Sequence, residues 1–143
     1  MRYFTSVKLF VNSFKQRYRV GRKKGLYQTC GLIRKEARQK IRVSPNPSRA
    51  GSPPNSRTRG GLREINFHVT GDSGIVGPRK FPQSNFFNRP VPNIHEMGGI
   101  ALSRKKRGYW RYPERSFMYS AVKRLQSRGL LSKKFSYTLR RSW

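Results

Sequence analysis

Apolar residues recur every three or four positions over residues 4–41, alternate with polar ones near residue 65, and return to helical spacing only after residue 113. In residues 2–19, Phe4, Val7, Val11, Phe14 and Tyr18 fall on one stripe of a helix, and Arg2, Lys8, Lys15, Arg17 and Arg19 lie mostly off it. Gly21 and the run Arg22-Lys23-Lys24-Gly25 read as the end of that helix. A second helix over residues 27–42 places Tyr27, Cys30, Ile33, Ala37 and Ile41 on one face and Arg34, Lys35, Arg38 and Lys40 on the other. Residues 1–43 therefore predict a basic amphipathic helical hairpin.

Between residues 44 and 61 the composition turns to Ser, Pro, Asn, Gly and Arg, and Pro45, Pro47, Pro53 and Pro54 exclude a helix or a central strand. This stretch predicts an extended arm whose Arg49, Arg57 and Arg59, with Arg63 just beyond, meet phosphates. In residues 62–102, Ile65, Phe67 and Val69 alternate as a short strand, followed by a Gly/Pro-rich extension. Residues 103–143 join a basic-aromatic cluster to a helix over 113–128, with Phe117, Ala121, Val122 and Leu125 on its buried face and Gly129 as its stop. The alternation of Phe135, Tyr137 and Leu139 then predicts a short strand before a basic tail. The fold expected from these patterns is mostly irregular with short α-helices: small helical elements, long extended RNA-binding arms without a core of their own, and little β structure.

Charge decides what such a chain is for. Its 143 residues hold 33 Lys and Arg against five Asp and Glu, a net charge of +28. A compact body of that charge repels itself strongly and is normally found beside a polyanion. The hydrophobic fraction of 34% sits below the roughly 45–50% of ordinary globular chains, which argues against a large core. The basic clusters recur along the whole length: Arg17, Arg19, Arg22, Lys23 and Lys24; Arg34, Lys35 and Arg38; Arg57 and Arg59; Arg104, Lys105, Lys106 and Arg107; and Arg140 and Arg141. Tyr109, Trp110 and Arg111 follow the fourth cluster, pairing a stacking platform with forked donors. Repetition of this kind points to distributed phosphate contact.

Catalytic patterns fail on chemistry. Gly71-Asp72-Ser73-Gly74 resembles the nucleophile segment of trypsin-like serine proteases, but Asp72 is the only Asp of the chain and no second one exists to orient a His base. Gly71, Gly74 and Gly77 lack the Gly-Lys-Ser/Thr ending of a phosphate-binding loop, and the segment reads as a Gly-rich turn. Cys30 has no disulfide partner and makes at most an isolated pair with His68 or His95, while His95-Glu96 supplies two metal ligands, fewer than a zinc site needs. No enzyme activity, cofactor, metal or small-molecule substrate is expected. No run approaches the roughly 18 apolar residues of a membrane span.

Small size, extreme basicity, short helices and Pro/Gly-rich arms together resemble a ribosomal protein. The acid-free, amphipathic first 24 residues resemble a mitochondrial import segment, which makes the mitochondrial ribosomal proteins the most similar group. That resemblance implies a structural constituent of the mitoribosome, in the mitochondrial matrix, that braces ribosomal RNA beside neighbouring ribosomal proteins, with its import segment retained as structure. A cytosolic or plastid ribosome, a supernumerary subunit of a respiratory-chain complex, and a free RNA- or DNA-binding protein are the alternative readings.

Overall fold

The computed structural model describes residues 2–57, 61–79, 91–103 and 108–141, the side chains at 2–10, 91–93, 101–103 and 110 excepted. In chain order its elements are helix α1 (Arg2–Lys40), strands β1 (Ile65–Thr70) and β2 (Ser73–Pro78), helix α2 (Val91–Met97), strands β3 (Gly99–Ser103) and β4 (Gly108–Tyr112), and helices α3 (Met118–Ser127) and α4 (Leu130–Arg140). β1 pairs with β2 and β3 with β4, each as an antiparallel hairpin. The described residues are 55% helical and 19% strand, so the expectation of a mostly irregular chain with extended arms is overturned.

One continuous helix replaces the expected hairpin at the N-terminus. α1 has 39 residues and runs through Gly21 and Gly25 without a break; at 1.5 Å per residue it is about 58 Å long. Both glycines are buried, and at Gly25 the role is packing. A Cβ at Gly25 would come within 2.8 Å of the Phe135 ring of α4, so the missing side chain forms the seat of that ring. The helix-weakening effect of glycine, about 1 kcal/mol per residue against alanine, is offset by this close approach.

α3 and α4 return antiparallel along α1. Phe117 and Ala121 meet Ala37 and Ile41, Arg124 pairs with Glu36 at 3.0 Å, Phe135 rests on Gly25, and Arg141 ends beside Arg17 and Lys24. Gly129, at φ +63°, makes the left-handed turn between the two helices. Phe135 and Leu139 belong to α4 rather than to a terminal strand: Leu131, Phe135, Thr138 and Leu139 are its partly covered positions, spaced by four, three and one, and Tyr137 faces solvent.

The core is small. Ala37 and Ile41 of α1, Leu62 of the short 3₁₀ turn Gly61–Arg63, Ile65 of β1, and Phe117 and Ala121 close on one another, flanked by Val76 and Met118. β1 alternates as its sequence predicts, with Ile65 and Val69 buried, and Phe67 meets Tyr27 edge-on at 5.9 Å. The Gly71-Asp72 pair forms the two-residue tip of the β1–β2 hairpin, with Gly71 at φ +54° as primed turns require. The Pro/Ser segment is a closed loop rather than an arm. Ser44 N–H donates to the Ser56 carbonyl at 3.0 Å, Ser56 N–H to that of Arg42 at 2.8 Å, and at mid-loop Gly51 N–H to that of Glu114 at 3.2 Å.

Glu96, the last acidic residue of α2, caps α3 from outside. Its carboxylate accepts from the backbone N–H groups of Phe117 (3.0 Å), Met118 (3.1 Å) and Tyr119 (2.6 Å) and from the Ser116 hydroxyl (2.7 Å). These are the donors a helix start leaves without intrahelical partners, at the positive end of its dipole. Partial burial alone would raise the Glu96 pKa, but the hydrogen bonds from Tyr119, Phe117, Ser116 and Met118 outweigh it and hold the carboxyl below its ordinary 4.5. A carboxyl depressed in the folded state adds stability above its unfolded pKa and loses it as pH falls through the folded value. Glu96→Gln should therefore cost about 1–2 kcal/mol at neutral pH, and the gap to the parent chain should close progressively below pH 4.5. Denaturant melts across pH 3–7 check this, and a gap independent of pH would contradict it.

Candidate nucleic-acid interface

Folding pairs four of the five carboxylates with groups of the fold itself. Asp72 at the hairpin tip holds Arg22 of α1 at 2.6 Å, Glu36 holds Arg124 across α1 and α3, Glu64 holds Arg79 at 3.4 Å, and Glu96 is committed to the α3 N-terminus. Glu114 is the fifth, and exposed. The remaining cations are left without acidic neighbours over most of the described surface, and water and salt are the only things that screen them.

The predicted contact residues separate into three groups. Arg17 and Lys24 of α1 and Arg141 after α4 line a single groove of about 500 Å³, while Arg19, Lys23, Lys35 and Arg140 stand exposed. Arg22, Arg34 and Arg38 are bound into the fold: Arg22 by Asp72, Arg34 with its guanidinium 5.2 Å from the centre of the Phe67 ring, and Arg38 by donating to the Ile65 carbonyl at 3.0 Å. These three act first as struts. On β4, Tyr109 is 80% exposed and shares a strand face with the exposed Arg111, opposite Ile100 of β3. Trp110 occupies the intervening strand position, and its side chain, like Arg59 and the run Arg104, Lys105, Lys106 and Arg107, lies outside the described residues.

A further cationic region is formed by residues that are distant in sequence. The closed loop at 44–55 separates two adjoining cavities. One, of about 760 Å³, is lined by Lys40, Arg42, Arg49 and Arg124. The other, of about 320 Å³, is lined by Arg57, His95 and Arg115. Ser44, Pro47, Ser48 and Asn55 belong to both, and neither is lined by a carboxylate. Burial and the nearby Arg115 charge push the His95 pKa below its usual 6.5, leaving the ring neutral at physiological pH. Sequence reading missed this assembly, because the residues that line each cavity, Arg42 with Arg124 in one and Arg57 with Arg115 in the other, are far apart along the chain.

The metal and nucleophile patterns acquire no site. Among the described residues no three His, Cys, Asp or Glu side chains gather to hold a metal. Cys30 is buried, and burial raises its thiol pKa, the opposite of what a nucleophilic cysteine needs. No helix among the described residues is long and apolar enough to cross a membrane.

Three like charges in one groove leave a measurable trace. Lys24→Gln should raise thermal stability slightly at low salt, by about 0.2–0.5 kcal/mol per repulsion removed, Arg141→Gln should gain less because Arg141 also donates to the Tyr137 hydroxyl at 3.2 Å, and the gain should vanish in high salt. The same variants should weaken RNA binding. Calorimetry paired with a binding titration checks the opposed signs; destabilisation by both changes would show that these cations support the fold instead.

Comparison of the chain with family models, with curated proteins and with solved structures returns no match.

Proposed function

We propose that this protein is a non-catalytic RNA-binding protein that braces folded ribosomal RNA as a constituent of a ribosome, the mitochondrial ribosome in particular. The observation that carries this reading is the pairing of carboxylates and cations: four of five carboxylates are committed to partners within the fold, which leaves most of the cations of a chain with net charge +28 without an acidic partner. Such a chain needs a polyanion with phosphates at many separate points, and folded RNA offers phosphates all around a small protein.

Arginine-rich clefts favour RNA over a diffuse acidic partner. Guanidinium groups make forked bonds to phosphate oxygens, and exposed Tyr109 beside Arg111 is suited to stack on an unpaired base. The exposed apolar positions Val11, Phe14 and Tyr18 form the described part of the N-terminal stripe. They suit contact with neighbouring ribosomal proteins in the particle, in an element that also has the character of an import segment.

Binding of the purified chain to ribosomal RNA should weaken steeply with salt, with log K falling against log salt at a slope of at least roughly −5. The endogenous protein should co-sediment with mitochondrial ribosomes. A flat salt response together with sedimentation in a respiratory-chain complex would replace this reading with the supernumerary-subunit alternative, and sedimentation with cytosolic or plastid ribosomes would move the compartment. Tyr109→Ala should weaken binding to single-stranded RNA by about 1–3 kcal/mol and leave duplex binding nearly unchanged.

A further inference from the structure

We infer that the smaller cavity under the 44–55 loop seats a phosphate group of RNA, held by Arg115, His95 and Ser48. The inference rests on the RNA reading above for the source of the phosphate, and on the cavity itself for everything else.

The residues that line the cavity locate the seat. Ser48 Oγ, His95 Nδ1 and Arg115 Nε are buried and have no hydrogen-bond partner in the protein; among the described residues only one other buried side-chain atom, Arg38 Nε, is in that condition. All three residues line the same cavity of about 320 Å³. Folded proteins leave few buried polar groups unsatisfied, because each forfeits its hydration without replacement. Three residues that each carry such an atom line one cavity together with Arg57, and its cationic, carboxylate-free lining marks a place where an anion is held.

The chemistry of the three selects an anion. Arg115 Nε is only a donor, Ser48 Oγ donates or accepts, and the neutral His95 ring has one N–H to offer. The charged groups facing His95 are Arg115 and Arg57 across the cavity, while the adjacent Glu96 carboxylate is occupied by the α3 N-terminus. A phosphate in the cavity accepts from the donors its lining offers and balances the guanidinium charges of Arg57 and Arg115. Water fills the same hydrogen bonds but leaves the charge.

The walls are set before any ligand arrives. Asn46 N–H donates to Ser44 Oγ at 3.2 Å and the Asn55 amide to the Asn46 carbonyl at 2.9 Å, the loop ends are joined through Ser44 and Ser56, and its middle is fastened to Glu114. Binding then orders little new backbone, which favours affinity. The larger cationic cavity shares a wall with the seat, so a phosphodiester chain has a second place for an adjacent phosphate.

The test uses the full chain and two probes, inorganic phosphate and a single-stranded RNA oligonucleotide, with the imidazole of His95 followed by NMR. His68, exposed on β1, is the internal reference. Each probe should raise the His95 pKa by about one unit, as an opposite charge within a few ångströms does, and leave His68 unmoved. Arg115→Gln should weaken RNA binding about tenfold and flatten the salt slope by roughly one phosphate contact; Ser48→Ala, which leaves the loop hydrogen bonds in place, should weaken it less. Steep RNA binding with His95 unmoved by either probe and both variants binding like the parent overturns the seat and spares the RNA reading. A His95 response to inorganic phosphate in a chain that does not bind RNA overturns the RNA source and establishes a free-phosphate site.

Discussion

Mutual repulsion among thirty-three cations is the force against which every joint of this fold works, with only five carboxylates to oppose it. The structure sets nearly all of them where two elements meet. Asp72 ties the hairpin tip to α1, Glu36 ties α1 to α3, and Glu96 ties α2 to the start of α3. Glu96 bears the most: three backbone N–H groups and a hydroxyl converge on one side chain at the helix that carries Phe117 and Ala121 into the core. In a chain with so small a core, an electrostatic tie at each joint does work that extra apolar area does in an ordinary domain.

The same placement separates the cations into structural and available ones. Arginines 22, 34 and 38 sit on the inner side of α1, each bound to a group of the β1–β2 hairpin, whereas Arg17, Lys24 and Arg141 meet in an open groove. Arginine suits both duties, since its stem and planar head pack on rings and carbonyls without losing charge. A sequence cluster of cations is therefore not a contact patch by itself; one residue in a run joins the fold and its neighbour remains free.

Periodicity made part of this legible. The buried positions Cys30, Ala37 and Ile41, the alternation of Ile65 and Val69, and the Phe117, Ala121 and Leu125 face all lie where spacing puts them. The misreadings share a physical cause, since each concerned a residue whose local preference was overridden by a distant partner. Gly25 signals a helix end unless a ring needs the space, and Phe135 comes from the other end of the chain. Four prolines imply an extended segment unless its ends are pinned, and the bridge between Val43 and Ser56 pins them. Phe135, Tyr137 and Leu139 alternate, yet Phe135 and Leu139 with Leu131 also fit a helix stripe, and only packing on α1 selects that period. The phosphate seat was beyond reach for the same reason, because Ser48, His95 and Arg115 are separate in sequence.

Cys30 carries a consequence of its own. A methyl group on Gly74 would overlap its sulfur, so β2 lies as a lid over the chain's single thiol. An alkylating reagent then reaches the sulfur only in molecules whose hairpin has lifted from α1, and the rate at which free thiol disappears counts those excursions. Because the ion pair of Arg22 and Asp72 helps to hold the lid, that clock runs faster as salt rises, which makes one buried sulfur a gauge of how tightly charge fastens the fold.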